Sequence, residues 1–203
     1  MPTVRDVAAS LLRKPRKFSN KELQKLLFFA EGHSLAWGGL SLFSEPFEGW
    51  VDGPVVRSVW NGRYGGDPNA LSAEQEGTVD EVFALYGGLS EDELIDLTHR
   101  TKAWLDSRKG LATNEPGCRE ISRECMRKCF ADQEQAFADL FEEFGLQTRI
   151  LRGQIQFVGT RQQAEEEIDR VCRLLHDHTI SPDKHTLLIQ ASGRCEYLEE
   201  TTA

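Results

Sequence analysis

The strongest indication of the fold is in residues 19–39, which read SNKELQKLLFFAEGHSLAWGG. Ser19, followed three residues later by Glu22, forms the Ser-x-x-Glu capping pattern with which helices begin. Leucine, phenylalanine and alanine then recur at helical spacing, and the two glycines at the end are typical of a helix C-terminus. The stretch therefore predicts a long helix whose apolar residues contribute to the core.

Similar signals predict further helices on both sides of this stretch. Apolar residues at helical spacing mark their faces, and such residues usually point into a core. The predicted helices are one over 3–13, one opened by Pro54 with Val55, Val56, Val59 and Trp60, one from Ser72 to Gly87-Gly88, one opened by Ser90, one within 103–118, and a long one from Ile121 to Gly145 with a candidate break near Ala131. The expected core positions include Leu26, Phe29, Ala30, Trp37, Trp50, Val55, Trp60 and Trp104.

The pattern changes after Gly145. Residues 148–158 alternate apolar and polar side chains, which predicts either a strand pair or one bent strand. An amphipathic helix over 161–178 and short strands at 186–190 and 197–198 follow. The chain is therefore expected to be mainly α. The predicted parts are an all-helical domain over 1–131, an acidic helical extension over 132–145 and a small α+β unit over 146–203.

Composition and charge exclude several classes of protein. Eleven phenylalanines and four tryptophans among 203 residues can fill a core, and no apolar run approaches the ~18 residues of a membrane span. The net charge of −9 divides into −2 over residues 1–131 and −7 over 132–203, which does not suit general binding of nucleic acid or anionic lipid. Five cysteines and a start without signal-peptide features favour reduced thiols and a cytoplasmic location.

Two features of the sequence, His99 and a basic stretch, have both a functional and a structural interpretation. His99 has the pKa range of a general base, but a buried, hydrogen-bonded histidine beside Thr98 is the simpler interpretation. A basic stretch at 13–25 forms either a patch for nucleic acid or an acidic partner, or a solvated helix face. Its members are Arg13, Lys14, Arg16, Lys17, Lys21 and Lys25.

Cysteine and histidine spacing raises the question of zinc. Cys125 and Cys129 lie one helical turn apart, and Cys172 and His176 repeat that spacing. Two such pairs suffice for a tetrahedral site. The pairs lie on different predicted elements, so we expect no metal site. The phosphate-binding and nucleophile-elbow motifs are also absent, and no cofactor is expected.

The order of motifs along the first two thirds of the chain is distinctive. The segments that carry it are Lys25-Leu26-Leu27-Phe28-Phe29-Ala30-Glu31-Gly32-His33, Leu42-Phe43, Phe47-Glu48-Gly49-Trp50, Gly53-Pro54-Val55-Val56, Leu71-Ser72, Leu89-Ser90 to Leu94, Leu97-Thr98-His99, Trp104, Ile121-Ser122 and Phe130. In this combination, residues from about 5 to 131 resemble the Panacea domain, also called the SocA-like antitoxin domain. Two positions depart from the family pattern: Gly49 stands where alanine is usual, and Ala103 where proline is usual.

The resemblance implies an all-α antitoxin from a bacterial or phage toxin–antitoxin pair. Such a protein binds and neutralises a toxin encoded nearby without catalysis, and some members deliver the toxin to an ATP-dependent protease. No catalytic residue, metal or cofactor is implied. The candidate residues, as toxin-binding or family-motif positions, are Lys25, Phe28, Phe29, His33, Trp50, Gly53, Pro54, Val55, Thr98, His99 and Trp104.

Two other functions remain open at this point. The same helical body suits a proteolytic adaptor or a phage counter-defence protein that binds a host protein. An enzyme built around His99 has the least support. Residues 146–203 are expected to pack on the helical body and to supply surface for toxin binding or self-association, which leaves a homo-oligomer open.

Overall fold

The structure is a computed structural model that describes residues 1–62, 64–146, 148–151, 154–157, 161–175 and 195–197. The chain divides into two compact units, Met1–Phe130 and Ala131–Ala203. The predicted strand at 186–190 and the end of the helix predicted over 161–178 lie outside the described residues. The three-part division predicted from the sequence stays a prediction.

Helices make up most of the first unit. Three of them begin at serine caps, because the side chains of Ser19, Ser72 and Ser90 each accept a hydrogen bond from the backbone N–H three residues on. The helices predicted from those caps are therefore confirmed. The helices are α1 (Val4–Leu12), α2 (Asn20–Gly38), α3 (Ala73–Tyr86), α4 (Glu91–His99), α5 (Lys102–Arg108) and α6 (Arg123–Glu143), the last of which continues into the second unit.

Helix α2 runs through the middle of the first unit. Every residue from Glu22 to Leu35 is buried, and the helix packs against α1, α3 and α4. It ends at Gly39, whose φ of +67° gives the left-handed cap that glycine adopts without strain. A helix buried on all sides must also bury its polar residues, and those need partners inside the protein.

A two-stranded hairpin stands where a helix was predicted. Strands β1 (Glu48–Trp50) and β2 (Gly53–Val55) pair antiparallel, with Trp50 opposite Gly53, and a 3-10 turn over Arg57–Val59 follows. The predicted helix opened by Pro54 is therefore wrong. Hydrogen bonds from α2 explain the difference, because the Gln24 side chain accepts from the backbone N–H of Val56 at 2.8 Å and so holds the chain extended.

The second unit contains the end of α6 and a small mixed sheet. Helix α6 is continuous from Arg123 to Glu143, so the candidate break near Ala131 is not present. Strands β3 (Thr148–Leu151) and β4 (Gln154–Phe157) pair antiparallel, which confirms the strand-pair alternative. Helix α7 (Arg161–Leu175) and strand β5 (Cys195–Tyr197) complete the unit, with β5 parallel to β4. The mainly α character of the chain is confirmed.

Candidate functional site

Eight of the eleven candidate residues come together around the β1–β2 hairpin. Three contacts link them in space: the Lys25 amine with the Pro54 carbonyl, the His99 ring with the Trp104 ring, and the Trp104 indole with the Trp50 carbonyl. Gly53 lies close to both Lys25 and Thr98. Val55 lies beside Lys25 in the lining of one pocket. We call this group the hairpin site. Its members are Lys25, Trp50, Gly53, Pro54, Val55, Thr98, His99 and Trp104.

Lys25 is the most unusual member of the hairpin site. It projects from the buried helix α2, and only 1% of its surface is exposed. Its Nζ donates a hydrogen bond to the Pro54 carbonyl at 3.3 Å. Burial disfavours the ammonium form and lowers the pKa of Lys25 to about 7, while the negative charge of Asp52 opposes that shift. Lys25 is therefore near the balance between its charged and neutral forms at neutral pH.

Gly53 allows the hairpin to approach Lys25 closely. Its φ is +101°, a backbone conformation that side chains with a Cβ rarely adopt. A Cβ at this position would lie 2.6 Å from Lys25 Nζ and 2.9 Å from Thr98 Oγ1. The Thr98 hydroxyl itself donates to the Ile95 carbonyl at 2.8 Å. Glycine is therefore required by both the backbone conformation and the lack of space.

A stack of two rings joins α4 and α5 to the hairpin. The His99 and Trp104 rings lie 3.9 Å apart and 11° from parallel. The Trp104 indole donates to the Trp50 carbonyl at 3.0 Å, and His99 hydrogen-bonds to the backbone of Val51. Burial and the nearby charge of Lys25 lower the pKa of His99, so the ring favours its neutral form. The predicted hydrogen bond is present, with Val51 on the hairpin as the partner, but His99 is half-buried and not buried as predicted.

A pocket of about 150 Å³ opens beside the hairpin. The rings of Trp50 and Trp60 meet in its wall at a centroid distance of 5.3 Å. At the pocket, Lys21 and Asp52 form an ion pair at 2.8 Å. We call this cavity the Lys25 pocket. The residues that line it are Lys21, Lys25, Trp50, Val51, Asp52, Val55, Trp60, Pro116 and Gly117.

The buried Arg108 shapes the far wall of the Lys25 pocket. Its guanidinium donates to backbone carbonyls of the loop after α5, including that of Glu115 at 2.6 Å, and also to the Gly49 carbonyl at 3.4 Å. A guanidinium has five N–H donors in a fixed planar array, so one side chain can hold several carbonyls. Arg108 thereby ties Pro116 and Gly117 to strand β1.

The comparison with known families bears directly on this group of residues. Residues 23–105 match the family model described as the SocA-like antitoxin, Panacea domain. The resemblance inferred from the sequence is confirmed over that stretch. The matched Panacea segment runs from α2 to α5 and contains all eleven candidate residues. Comparison with curated proteins and with solved structures gives no significant match.

Gly49, one of the two departures from the Panacea pattern, has a structural explanation. A Cβ added at Gly49 would lie 2.0 Å from Ser107 Oγ, so the serine side chain occupies the space that an alanine methyl would need. Ser107 is held there by a hydrogen bond to the Trp104 carbonyl at 2.6 Å. The two positions are therefore coupled through packing.

This coupling predicts a compensating pair of substitutions. Gly49→Ala is expected to lower the free energy of unfolding by roughly 1–3 kcal/mol, because the added methyl overpacks the hairpin. Adding Ser107→Gly should restore part of that loss by making space for it. Urea unfolding of the two single variants and the double variant measures the coupling. Gly65→Ala is the control, since a Cβ there meets no atom within 4 Å. Strictly additive effects would contradict the predicted coupling.

The other three candidates, Phe28, Phe29 and His33, are buried in the core of the Panacea segment. Phe29 stacks on the Tyr86 ring at 4.0 Å, and His33 Nε2 lies 2.8 Å from the Tyr86 hydroxyl. Phe28 packs edge-on against Phe47. These residues support the helical body from inside and present no surface to a partner.

The expected tryptophan core is only partly realised. Leu26, Phe29, Ala30 and Val55 are buried as expected. The four tryptophans of that set are half-buried instead. Trp50 and Trp60 line the Lys25 pocket, and each indole is too large to be covered completely at the edge of the domain.

Two buried polar residues on α2 were not singled out in the sequence. The Gln24 side chain accepts a hydrogen bond from the backbone N–H of Val56. Glu31 is fully buried and accepts hydrogen bonds from Arg123 Nε and from the Leu42 N–H, both at 2.9 Å. Their signal in the sequence is a polar side chain inside an otherwise apolar run, which a buried helix tolerates only where partners exist.

The basic stretch at 13–25 is largely compensated by acidic side chains. Lys14 pairs with Glu76 and Asp80, Arg16 pairs with Glu22, and Lys21 pairs with Asp52. Arg13 also reaches Glu76, and Lys25 is buried. Arg13, Lys14 and Arg16 thereby tie the loop after α1 to α3 and α2, which leaves less positive charge free to form a patch for a phosphate backbone.

The Cys125 and Cys129 sulfurs lie 4.0 Å apart, and the described residues contain no group of three or more metal-ligating side chains. His176 and the Cys172 side chain fall outside the described parts. In the part of the chain that the structure describes, no helix combines the length and apolar character of a membrane span.

Proposed function

We propose that this protein is an antitoxin that binds and neutralises a toxin encoded nearby. The observation that carries the proposal is the Panacea match, together with the convergence of eight of the motif residues on the hairpin site. Neutralisation is steric: a preformed surface on the hairpin and the end of α4 covers the working part of the toxin. The proposed location is the cytoplasm, where such a pair would meet.

The hairpin site is suited to binding because hydrogen bonds and packing fix its position. Trp104 and Arg108 from α5 and Gln24 from α2 anchor the hairpin. A surface that is already ordered loses little conformational entropy on binding, which favours affinity. Half-buried tryptophans beside a pocket are typical anchors of protein–protein interfaces.

The same geometry favours binding over catalysis. The ring of His99 stacks on Trp104 and bonds to the backbone of Val51, and among the described residues no nucleophile or carboxylate hydrogen-bonds to it. A general base needs a proton within hydrogen-bond reach. An enzyme built around His99 is therefore not proposed.

Co-expression tests the proposed function. The gene next to this one is expressed in a bacterial host, alone and together with this protein, and growth is followed. We expect the neighbour to arrest growth alone and growth to recover when both are present. A neighbour that is harmless alone, or that stays toxic in the presence of this protein, would contradict the proposal. Loss of the toxin itself during recovery would instead indicate a proteolytic adaptor.

Trp60 is expected to be an anchor for the toxin. Trp60→Ala removes a half-buried ring from the wall of the Lys25 pocket, and we expect toxin affinity to fall by roughly 2 kcal/mol or more, as at interface hot spots. Titration calorimetry with the purified toxin measures the change. Leu40→Ala is the matched control, since Leu40 is an exposed apolar residue outside the hairpin site. Equal affinity for the two variants would place the interface elsewhere.

The role of residues 146–203 stays a prediction. The sequence suggests that they add surface for toxin binding or self-association. The acidic charge of the last third of the chain would suit a basic partner.

A further inference from the structure

The Lys25 pocket combines apolar walls with a cationic group in its lining. Trp50, Trp60 and Val55 contribute rings and methyl groups, and Lys25, whose amine donates to the Pro54 carbonyl, also lines the pocket. A buried ammonium is costly unless it is paired with hydrogen-bond acceptors or an opposite charge. Lys25 therefore favours ligands that carry a hydrogen-bond acceptor or a negative charge, a preference that apolar walls alone would not produce.

The hydrogen-bonding capacity of Lys25 is only partly used. An ammonium group has three N–H donors, and one of them meets the Pro54 carbonyl at 3.3 Å. Within the described residues, no carboxylate forms an ion pair with Lys25. The nearby Asp52 carboxylate is engaged by Lys21 at 2.8 Å. N–H donors of the Lys25 ammonium therefore remain for a hydrogen-bond acceptor that enters the pocket.

The charges lining the pocket favour an anion. Lys21 and Lys25 carry two positive charges against the single negative charge of Asp52 when Lys25 is protonated. Contact with a carboxylate would favour that protonated form, and the partly buried setting would strengthen the attraction relative to water.

The size of the pocket limits the apolar part of the ligand. A volume of about 150 Å³ is similar to that of engineered protein cavities which bind benzene. The paired indoles of Trp50 and Trp60 offer flat surfaces for a ring. A bare Asp or Glu side chain would leave these walls largely uncovered.

We propose that the Lys25 pocket binds a carboxylate carried on an apolar group of about one ring, with Lys25 donating to the carboxylate. A small aromatic acid has this chemistry, and so does the C-terminal aromatic residue of a partner chain. The small acid would be a ligand beyond the proposed antitoxin function. The chain end would be an anchor of the toxin, and only that source rests on the proposed function.

Phenylacetate and phenylacetamide are the probes that test the carboxylate. Binding to the full-length protein is measured by calorimetry and by the fluorescence of the pocket tryptophans. We expect phenylacetate to bind at least about tenfold more tightly than the uncharged amide. Equal binding of the two probes, or no binding of either at millimolar concentration, would overturn the proposal. This comparison uses the unaltered protein and does not depend on any variant folding or on any toxin.

Two variants then assign the roles of the pocket residues. Lys25→Met keeps the length and apolar stem of the side chain and removes the ammonium, so phenylacetate affinity should fall by about tenfold or more while phenylacetamide is unaffected. Trp60→Ala should weaken both probes. Circular dichroism confirms that each variant is folded. Undiminished phenylacetate binding by folded Lys25→Met would overturn the assignment of the ammonium as the carboxylate donor.

A third comparison separates the two sources of the carboxylate. A short peptide that ends in phenylalanine is tested with its C-terminus free and with the C-terminus amidated. A free-carboxyl peptide that binds more tightly than phenylacetate indicates a chain end as the ligand. A peptide that binds more weakly than phenylacetate indicates a small acid. Failure of toxin neutralisation with intact phenylacetate binding would sink the antitoxin function and leave the pocket proposal standing.

Discussion

Replacing Lys25 with methionine is expected to raise the free energy of unfolding below pH 7 by a few kcal/mol. The folded protein holds this amine with a pKa of about 7, whereas the unfolded chain restores the ordinary value of 10.5. Each pKa unit corresponds to about 1.4 kcal/mol. Below pH 7 both states are protonated, so the full cost of the buried charge is present, and methionine removes it.

The advantage of the methionine variant should shrink as the pH rises. Between pH 7 and 10.5 the unfolded wild-type chain binds a proton that the folded state lacks, so wild-type stability increases with pH over this interval. Urea unfolding of both proteins at several pH values measures the difference between their curves. Lys21→Met is the control, because Lys21 is more exposed and its ion pair contributes little. If the free energies of unfolding of wild type and Lys25→Met change in parallel with pH, the lowered pKa of Lys25 in the folded protein is contradicted.

Replacing Gly53 with alanine is expected to lower the free energy of unfolding by roughly 2–4 kcal/mol. A non-glycine residue at positive φ costs about 1–3 kcal/mol, and the added methyl would also collide with Lys25 and Thr98. The hairpin must move away from α2 to relieve the collision, so toxin neutralisation should weaken as well.

Gly88→Ala provides the matched control for this substitution. A Cβ at Gly88 meets no atom within 4 Å, so its effect on stability should be small. Thermal unfolding and the growth assay are applied to both variants. A Gly53→Ala protein as stable and as protective as Gly88→Ala would show that the close approach of the hairpin to Lys25 does not matter.

Local signals in the sequence were enough to predict most of the helices. Ser19 with Glu22, Ser72 and Ser90 are caps that act within a few residues, so the helices they open could be found without tertiary information. The strand pair after Gly145 was also visible in its alternation.

The hairpin was not predicted because long-range contacts determine it. Gly53-Pro54 followed by valines fits a helix start as well as a strand. Side chains distant in sequence, such as Gln24 about thirty residues away, hold the chain in the extended form. The motif residues of the candidate site were visible in the sequence, but their convergence was not. Arg108 and Ser107, which shape the site, carry no local signal at all.

In the proposed function, a preformed surface on this protein blocks the toxin directly. The most direct test is to add increasing amounts of the purified protein to the purified toxin and to follow the activity of the toxin, with no protease or other protein present. Steric neutralisation predicts that toxin activity disappears once this protein is present in stoichiometric amount. Toxin activity that persists at a saturating amount of this protein would contradict steric neutralisation.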